Sequence, residues 1–552
     1  MCILFLISCA SPLHAATSLP SDNPHYIAVK TIYDQIAAAF GDGRFPPQLV
    51  VIPAGSEGRM LVSWSDFGSG GDVGITGRFG EAKVGYIAVE ERVFDLFSKK
   101  SADPEGAMAF ILGHELAHYY LRHGWVGDFA NSFASLEVGK KMLSAANSDE
   151  IIRRETEADY FGGFYGYLAG YDTLGAAPQA LDLIYTEYGL HDTVPNYPTR
   201  LERKKIAERV AKNLQKMIPV FEGANILLIV GEYHEAARLF DFLGRAFPSR
   251  EILNNTGVAY AMEAIRHFPD GTVRFAYPFE FDTEPRLFCS GMKGKGTDLQ
   301  EAQRIRLLHQ AADAFGKALQ VDRNYVAAKI NLAAVNSLLG DNDTALVLAN
   351  QALESLKMKG DGIALANALV MRGIAYAESG NQDRALVDFA AACNSGNDLA
   401  ALNMARVTGG KPPGSSLAGK DLTIHSEETI AGVSARAAFR KDKETITFTL
   451  QGNDNEQAIT LHSARGDGWK RTLAVVGSKL TSAVATGEDF SGTSGRGIKI
   501  GDDSTAVRDR YGESTRQIPS PAGVILVFDK SSIAFAMESG QKVKGWYVFA
   551  IE

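Results

Sequence analysis

Apolar positions along the chain fall into three successive rhythms. Up to about Met217, two short apolar runs, Leu49-Val50-Val51-Ile52-Pro53 and Val84-Gly85-Tyr86-Ile87-Ala88-Val89, predict strands. Gly68, Gly70, Gly71, Gly74, Gly77 and Gly80 between them mark loops or turns. Helical spacing then dominates from Pro104 to Leu214 and continues to about residue 408. Gly409-Gly410-Lys411-Pro412-Pro413-Gly414-Ser415-Ser416 reads as a linker. Beyond it the period falls to two: Ile446, Phe448 and Leu450 alternate with Thr445, Thr447 and Thr449, as a half-buried strand requires. Gly523–Phe528, Ile533–Phe535 and Trp546–Ile551 continue the strand pattern with a turn at Ser539-Gly540, and Asp503–Tyr511 predicts a short helix ending at Gly512.

The helical middle repeats itself. Gly231, Tyr233, Ala236, Phe240 and Pro248 stand where a tetratricopeptide unit of about 34 residues places Gly, Tyr, Ala, an aromatic and Pro. The register recurs at Leu332, Ala333, Gly340, Asp341, Ala345 and Ala352, and again at Gly373, Tyr376, Gly380, Ala385, Phe389 and Ala392. A fourth unit is split: Asn255, Gly257 and Tyr260 mark its first helix, Ala311, Phe315 and Ala318 its second, with an insert near 268–299 rich in Pro, Gly and aromatics. In such an array each helix pair buries its small residues against the next and leaves a concave face free for a protein partner. The predicted chain is therefore multidomain: a mainly α domain with a small β-sheet over 17–218, an α-solenoid of tetratricopeptide repeats over 219–408, a linker at 409–418 and a β-rich α+β domain over 419–552.

Composition narrows the function classes. At about 100–200 residues per domain, 552 residues imply about three to four domains. A hydrophobic content of 45% predicts packed cores, and a net charge of −9 argues against a nucleic-acid binder. No apolar run is long enough to span a bilayer. Residues 1–16 read as a secretory signal with cleavage near Ala15 or Ala16, although no Lys or Arg precedes the apolar run. Leu6-Ile7-Ser8-Cys9 also resembles a lipobox, so a lipid anchor at Cys9 is the alternative to a soluble form. Either way the expected location is extracytoplasmic, and periplasmic in a Gram-negative cell. Of the 4 cysteines, Cys2 and Cys9 fall within that signal, leaving Cys289 and Cys393 as candidates for a disulfide.

Chemistry concentrates on one helix. Asp103-Pro104-Glu105 is a helix start, with an N-cap acceptor, proline at the first position and an acid in the first turn. His114-Glu115-Leu116-Ala117-His118 follows on what is predicted to be an amphipathic helix. Residues four apart share a face, so both imidazoles can meet one Zn²⁺ while Glu115 stands beside them as a general base. His123, before Gly124, reads instead as a structural cation at the helix end. A catalytic zinc needs a third protein ligand and an open position. Glu155 and Asp159, four apart on a second helix, supply candidates: one can ligate while the other accepts a hydrogen bond from a ligating histidine. Glu157 lies off that face and is expected in solvent. Gly162, Gly163 and Gly166 would let this helix approach its partner closely.

His114-Glu115-Leu116-Ala117-His118, Glu155-Thr156-Glu157-Ala158-Asp159 and Ala169-Gly170-Tyr171-Asp172 together resemble the HExxH gluzincin family of the CAAX prenyl protease and the heat-shock membrane protease. The likeness spans roughly residues 20 to 215, and the attached repeats make it closest to the BepA-like periplasmic branch. The resemblance implies one zinc ion held by His114, His118 and Glu155, with Asp159 supporting a ligating histidine. It further implies a polypeptide substrate, which the strand Gly85–Val89 would pair with in extended form. Two features depart from the family pattern. Tyr197-Pro198 stands where the family has His-Pro, with Arg203 in its expected place, so Tyr197 or nearby His191 is the candidate for the gating or carbonyl-polarising role. The Asn-Ala-Phe that usually precedes the strand is absent. The expected activity is a zinc endopeptidase acting on misfolded or envelope proteins. The alternatives are a repeat-based chaperone or assembly factor with a little-used peptidase site, and a zinc that is only structural.

Overall fold

The computed structural model describes residues 18–40, 46–54, 62–64, 86–121, 148–189, 199–246, 248–269, 272–281, 298–356, 362–410, 428–439, 445–452, 456–487, 490–520, 523–538 and 541–552. The chain divides into two compact units, Met1–Gln215 and Lys216–Glu552. It is mostly helical, with an antiparallel sheet near its C-terminus. Among the described residues no helix is long and apolar enough to cross a membrane. The signal and lipobox residues, His123 and Cys289 lie outside the described residues, and Cys393 is half-buried.

In the first unit, helix α1 (Pro24–Phe40), strands β1 (Gln48–Ile52), β2 (Val62–Trp64) and β3 (Tyr86–Glu90), and helices α2 (Glu91–Lys100), α3 (Pro104–Tyr120), α4 (Ser148–Leu168) and α5 (Thr173–Glu187) surround one core. The sheet order is β1-β3-β2, with β1 parallel and β2 antiparallel to β3. Leu49 pairs with Ile87 on one edge of β3, and Trp64 pairs with Ile87 on the other. Both edges of the strand expected to hold an extended substrate are thus taken by its own sheet, and that expectation is corrected: a central strand has no row of backbone groups left to offer.

The helix with the two histidines also differs from its expected amphipathic character. Gly106 through His118 are all buried, because α1, α2, α4 and α5 all pack against α3. A helix enclosed on every side is apolar all round, and its few polar groups are then the informative ones. Its start is as read: the Asp103 side chain accepts from the Gly106 N–H at 2.9 Å, and Pro104 opens the first turn.

Helix α6 (Arg200–Val230) runs from the end of the first unit into the second. There, α7 (Tyr233–Ala246), α8 (Arg250–Arg266), α9 (Asp298–Val321), α10 (Val326–Leu338), α11 (Asn342–Leu356), α12 (Gly362–Glu378), α13 (Gln382–Asn394) and α14 (Asp398–Thr408) stack as successive hairpins. The small residues singled out above sit at the helix crossings. A Cβ on Gly257 would stand 2.5 Å from the Phe315 ring, and one on Gly373 would stand 2.6 Å from Phe389. Gly231, Gly340 and Gly380 end helices at φ of 91°, 88° and 80°, a backbone region that glycine enters freely. In the described part of the connection between α8 and α9, Phe275, Tyr277, Phe279, Glu280 and Phe281 are all buried.

The C-terminal strands form an eight-stranded antiparallel sheet in the order β10-β11-β12-β13-β9-β8-β7-β6, built from β6 (Ile446–Leu450), β7 (Ile459–Gly466), β8 (Trp469–Val476), β9 (Lys479–Thr486), β10 (Arg516–Ser520), β11 (Gly523–Phe528), β12 (Ile533–Glu538) and β13 (Val543–Ile551). A two-stranded hairpin, β4 (Thr429–Ile430) and β5 (Val433–Ser434), precedes it. Helix α15 (Ser504–Tyr511), capped by Asp503, buries Val507 and Tyr511 against Phe528, Phe535 and Trp546. On β6, Phe448 and Leu450 are half-buried as expected but Ile446 is exposed, because β6 is an edge strand. Sheet and helices belong to the same unit: Phe448 stacks 5.2 Å from Phe242, and Arg516 donates to the Ile229 carbonyl at 2.7 Å.

Candidate metal centre

Two helices in backbone contact create the site. At the crossing of α3 and α4, a Cβ on Gly162 would lie 2.5 Å from both Gly113 C and His114 N, and one on Gly113 would lie 2.7 Å from the Gly162 carbonyl oxygen. Only glycine on both sides permits this approach. It brings His114 and His118 of α3 up to Glu155 and Asp159 of α4. Gly113 was not foreseen; its signal in the sequence is a glycine directly before His114, matched by Gly162 on the partner helix. Gly166 is also tight, its Cβ position lying 2.4 Å from the Thr173 methyl group, while the Thr173 hydroxyl donates to the Gly163 carbonyl at 2.7 Å. Ala169-Gly170-Tyr171-Asp172 is the connection that this packing needs. Gly170 (φ 98°) ends α4, and Asp172 caps α5 by accepting from the Gly175 N–H at 3.1 Å.

Among the described residues, the metal-ligating side chains that converge are His114, His118 and Glu155, whose donor atoms all lie within 4.8 Å of one another. His114 Nε2 stands 3.0 Å from His118 Nε2 and 3.5 Å from Glu155 Oε2, and His118 Nε2 stands 3.6 Å from Glu155 Oε1. A tetrahedral ion with bonds of about 2.0–2.1 Å spaces its ligand atoms about 3.3–3.4 Å apart. The three separations bracket that value, and two imidazole nitrogens with one carboxylate is a donor set that zinc favours. The residues therefore fit the ion.

Asp159 completes the arrangement. Its Oδ1 lies 2.7 Å from His114 Nδ1, a contact that orients the ring so that Nε2 faces Glu155 and His118. Of the two carboxylates, Glu155 thus stands beside the Nε2 atoms of both histidines and Asp159 beside His114 Nδ1. Burial would push the His114 imidazole down, but the Asp159 hydrogen bond and charge, followed by those of Glu155, outweigh it and raise it to about 10. His114, Glu115, His118, Glu155 and Asp159 are each no more than 2% exposed. Three carboxylic side chains in so dry a place call for positive charge nearby. Glu157 is half-buried and pairs with Arg153 on the outer side of α4, in keeping with its expected place off the metal-facing side.

Tyr197 and His191 lie outside the described residues, and Arg203 falls on α6. The chain matches no family model and no curated protein.

Proposed function

We propose that the first unit is a zinc-dependent endopeptidase. The observation that carries this reading is the convergence of His114, His118 and Glu155 in a buried site, with the buried Glu115 directly after His114 on α3. Three protein ligands leave a position open for substrate chemistry. When bound, a divalent ion of this class supplies Lewis acidity and makes water a usable nucleophile near neutral pH. His114 and His118 would hold it through Nε2 and Glu155 through its carboxylate, with Asp159 orienting the His114 ring. Glu115 accepts the proton of the attacking water and returns it to the leaving amine. The dry surroundings strengthen each of these electrostatic contacts.

The second unit is proposed to be a tetratricopeptide array that holds polypeptide partners, and the whole chain to act outside the cytoplasm on misfolded or envelope proteins. Support for the array comes from the stacked hairpins and from Gly257 against Phe315 and Gly373 against Phe389. A second reading, a chaperone or assembly factor with a subordinate peptidase site, is favoured by the buried carboxamides of that array.

Metal analysis and casein cleavage test the first reading together. Wild-type chain is expected to carry about one zinc per chain and to cleave, and Glu115→Gln to retain the zinc without cleavage. Cleavage that persists in Glu115→Gln, or a chain that takes up no divalent metal, overturns the peptidase. Zinc uptake with a saturated ligand set by X-ray absorption assigns a structural role instead.

A further inference from the structure

The second unit contains a row of buried carboxamides that the metal centre does not use. Asn254, Asn331, Asn367 and Asn403 lie in the first two turns of α8, α10, α12 and α14. The last three follow one another at intervals of 36 residues, in phase with the helix pairs. All four are buried, and they are engaged with residues 275–281 or with the network that holds them.

The contacts are aimed at main chain. The Ala276 N–H donates to Asn403 Oδ1 at 2.8 Å, and Asn403 Nδ2 donates back to the Ala276 carbonyl at 2.9 Å. Asn331 does the same at Glu280, accepting from its N–H at 2.6 Å and donating to its carbonyl, to which Asn254 Nδ2 adds a bond of 2.9 Å. Asn367 Nδ2 donates to the Glu280 carboxylate at 2.9 Å, and Asn397 Nδ2 holds the Asn367 oxygen at 2.8 Å. Phe275, Tyr277, Phe279 and Phe281, at alternate positions, fill the space between these anchors.

A face built only to complete its own core would use apolar side chains, because a buried carboxamide costs free energy unless every group on it is bonded. Two of these carboxamides, Asn331 and Asn403, each bond both the N–H and the C=O of one residue, and so hold a chain by groups that every polypeptide has. The occupying segment comes from a connection of 31 residues, His267 to Thr297, between two helices that pack as a hairpin. At Asn367 the row meets a cavity of ≈ 90 Å³ lined also by Asn397, Asp398, Arg508 and Gln517, and residues 275–281 take no part in its walls. A longer occupant would find further polar contacts there.

We propose that residues 275–281 are an internal ligand of a polypeptide-reading groove, and that the groove's partner is an unfolded polypeptide segment with aromatic residues at alternate positions, which takes their place. Tethering gives the internal segment a high effective concentration, so the partner competes by added contacts or by its own multivalency. The inference deepens the polypeptide-partner reading of the second unit and is independent of the peptidase reading of the first.

Native-state hydrogen exchange on the full chain tests it, with a labelled synthetic peptide of residues 272–281 as the binding probe. The amides of Ala276 and Glu280 are expected to exchange by local opening at least about ten-fold faster than those of α10 and α12. The probe is expected to bind a Phe279→Ser chain at least ten-fold more tightly than wild type, and adding Asn331→Leu is expected to remove that gain. Exchange of the segment only at the rate of α10 and α12 means that segment and helices unfold as one body, and the proposal falls even if Phe279→Ser does not fold. Probe binding indifferent to Asn331→Leu overturns it as well. Neither readout involves cleavage, so failure here leaves the metal centre untouched.

Discussion

Both units bury polar side chains between helices, but they do so in opposite ways. In the first, ionisable groups from α3 and α4 converge on a point: three donor atoms within 4.8 Å, with Asp159 behind one of them. In the second, neutral carboxamides are spread along a line, one helix pair after another, and bond the N–H and C=O of a polypeptide. A converging set of carboxylates and imidazoles is stabilised by a compact cation, and a periodic row of amides by a polymer. The two proposals, a cation for the first unit and a polypeptide for the second, rest on that contrast in side-chain charge and spacing. The helix crossings differ in the same spirit. Gly113 and Gly162 meet backbone to backbone, whereas Gly373 meets the side-chain ring of Phe389.

Breaking the first cluster at its reactive member has the largest expected effect. Glu115→Gln should lower casein hydrolysis by about 10²–10⁴-fold with zinc content unchanged, read by proteolysis assay and metal analysis on the same preparation. Next comes the swap that would give the carboxamide row the chemistry of the metal centre. Asn331→Asp removes the donor to the Glu280 carbonyl and places an uncompensated charge in a buried site, which should cost about 3–5 kcal/mol in urea unfolding of the second unit. A smaller loss follows from Gly162→Ala. Its methyl group meets backbone that cannot yield, so about 1–3 kcal/mol of stability should go, together with zinc affinity. The converse swap, Asp159→Asn, keeps the shape of the metal centre and removes the charge behind His114. Zinc affinity measured against a chelator should fall about 10–100-fold. The smallest change expected is Gly373→Ala, at about 1 kcal/mol, because the methyl group meets a side chain rather than the backbone of a neighbouring helix. Equal losses at positions 162 and 373 would show that the distinction between backbone and side-chain contact is false.

The convergence of His114, His118 and Glu155 was legible because the spacing is a property of single helices: four residues separate His114 from His118, and Glu155 from Asp159. The cap at Asp103, the αL helix ends and the small residues of the repeats were legible for the same reason, since each depends on neighbours within a turn or two. What escaped was relational. The division of labour between Glu155 and Asp159 could not be read from their spacing, because either can reach a point on that face. Gly113 was missed because its meaning depends on Gly162 of another helix. The asparagine row was missed because its phase becomes visible only when a segment lies across it. The strand Tyr86–Glu90 was recognised, yet its central place in the sheet was not, because edge or centre is decided by β2 arriving on its far side.

The sequence by itself pointed to the cap at Asp103, to several of the strands and helices, and to His114, His118 and Glu155 as side chains able to share a face, since these follow from short-range sterics and periodic burial. The tertiary structure decided which carboxylate faces the histidines and which supports one of them. It also placed an internal segment on a face that repeats of this kind were expected to leave open, and took both edges of β3. Those outcomes depend on groups tens of residues apart meeting at contact distance, and packing against neighbours, rather than any local preference, selects among the partners within reach.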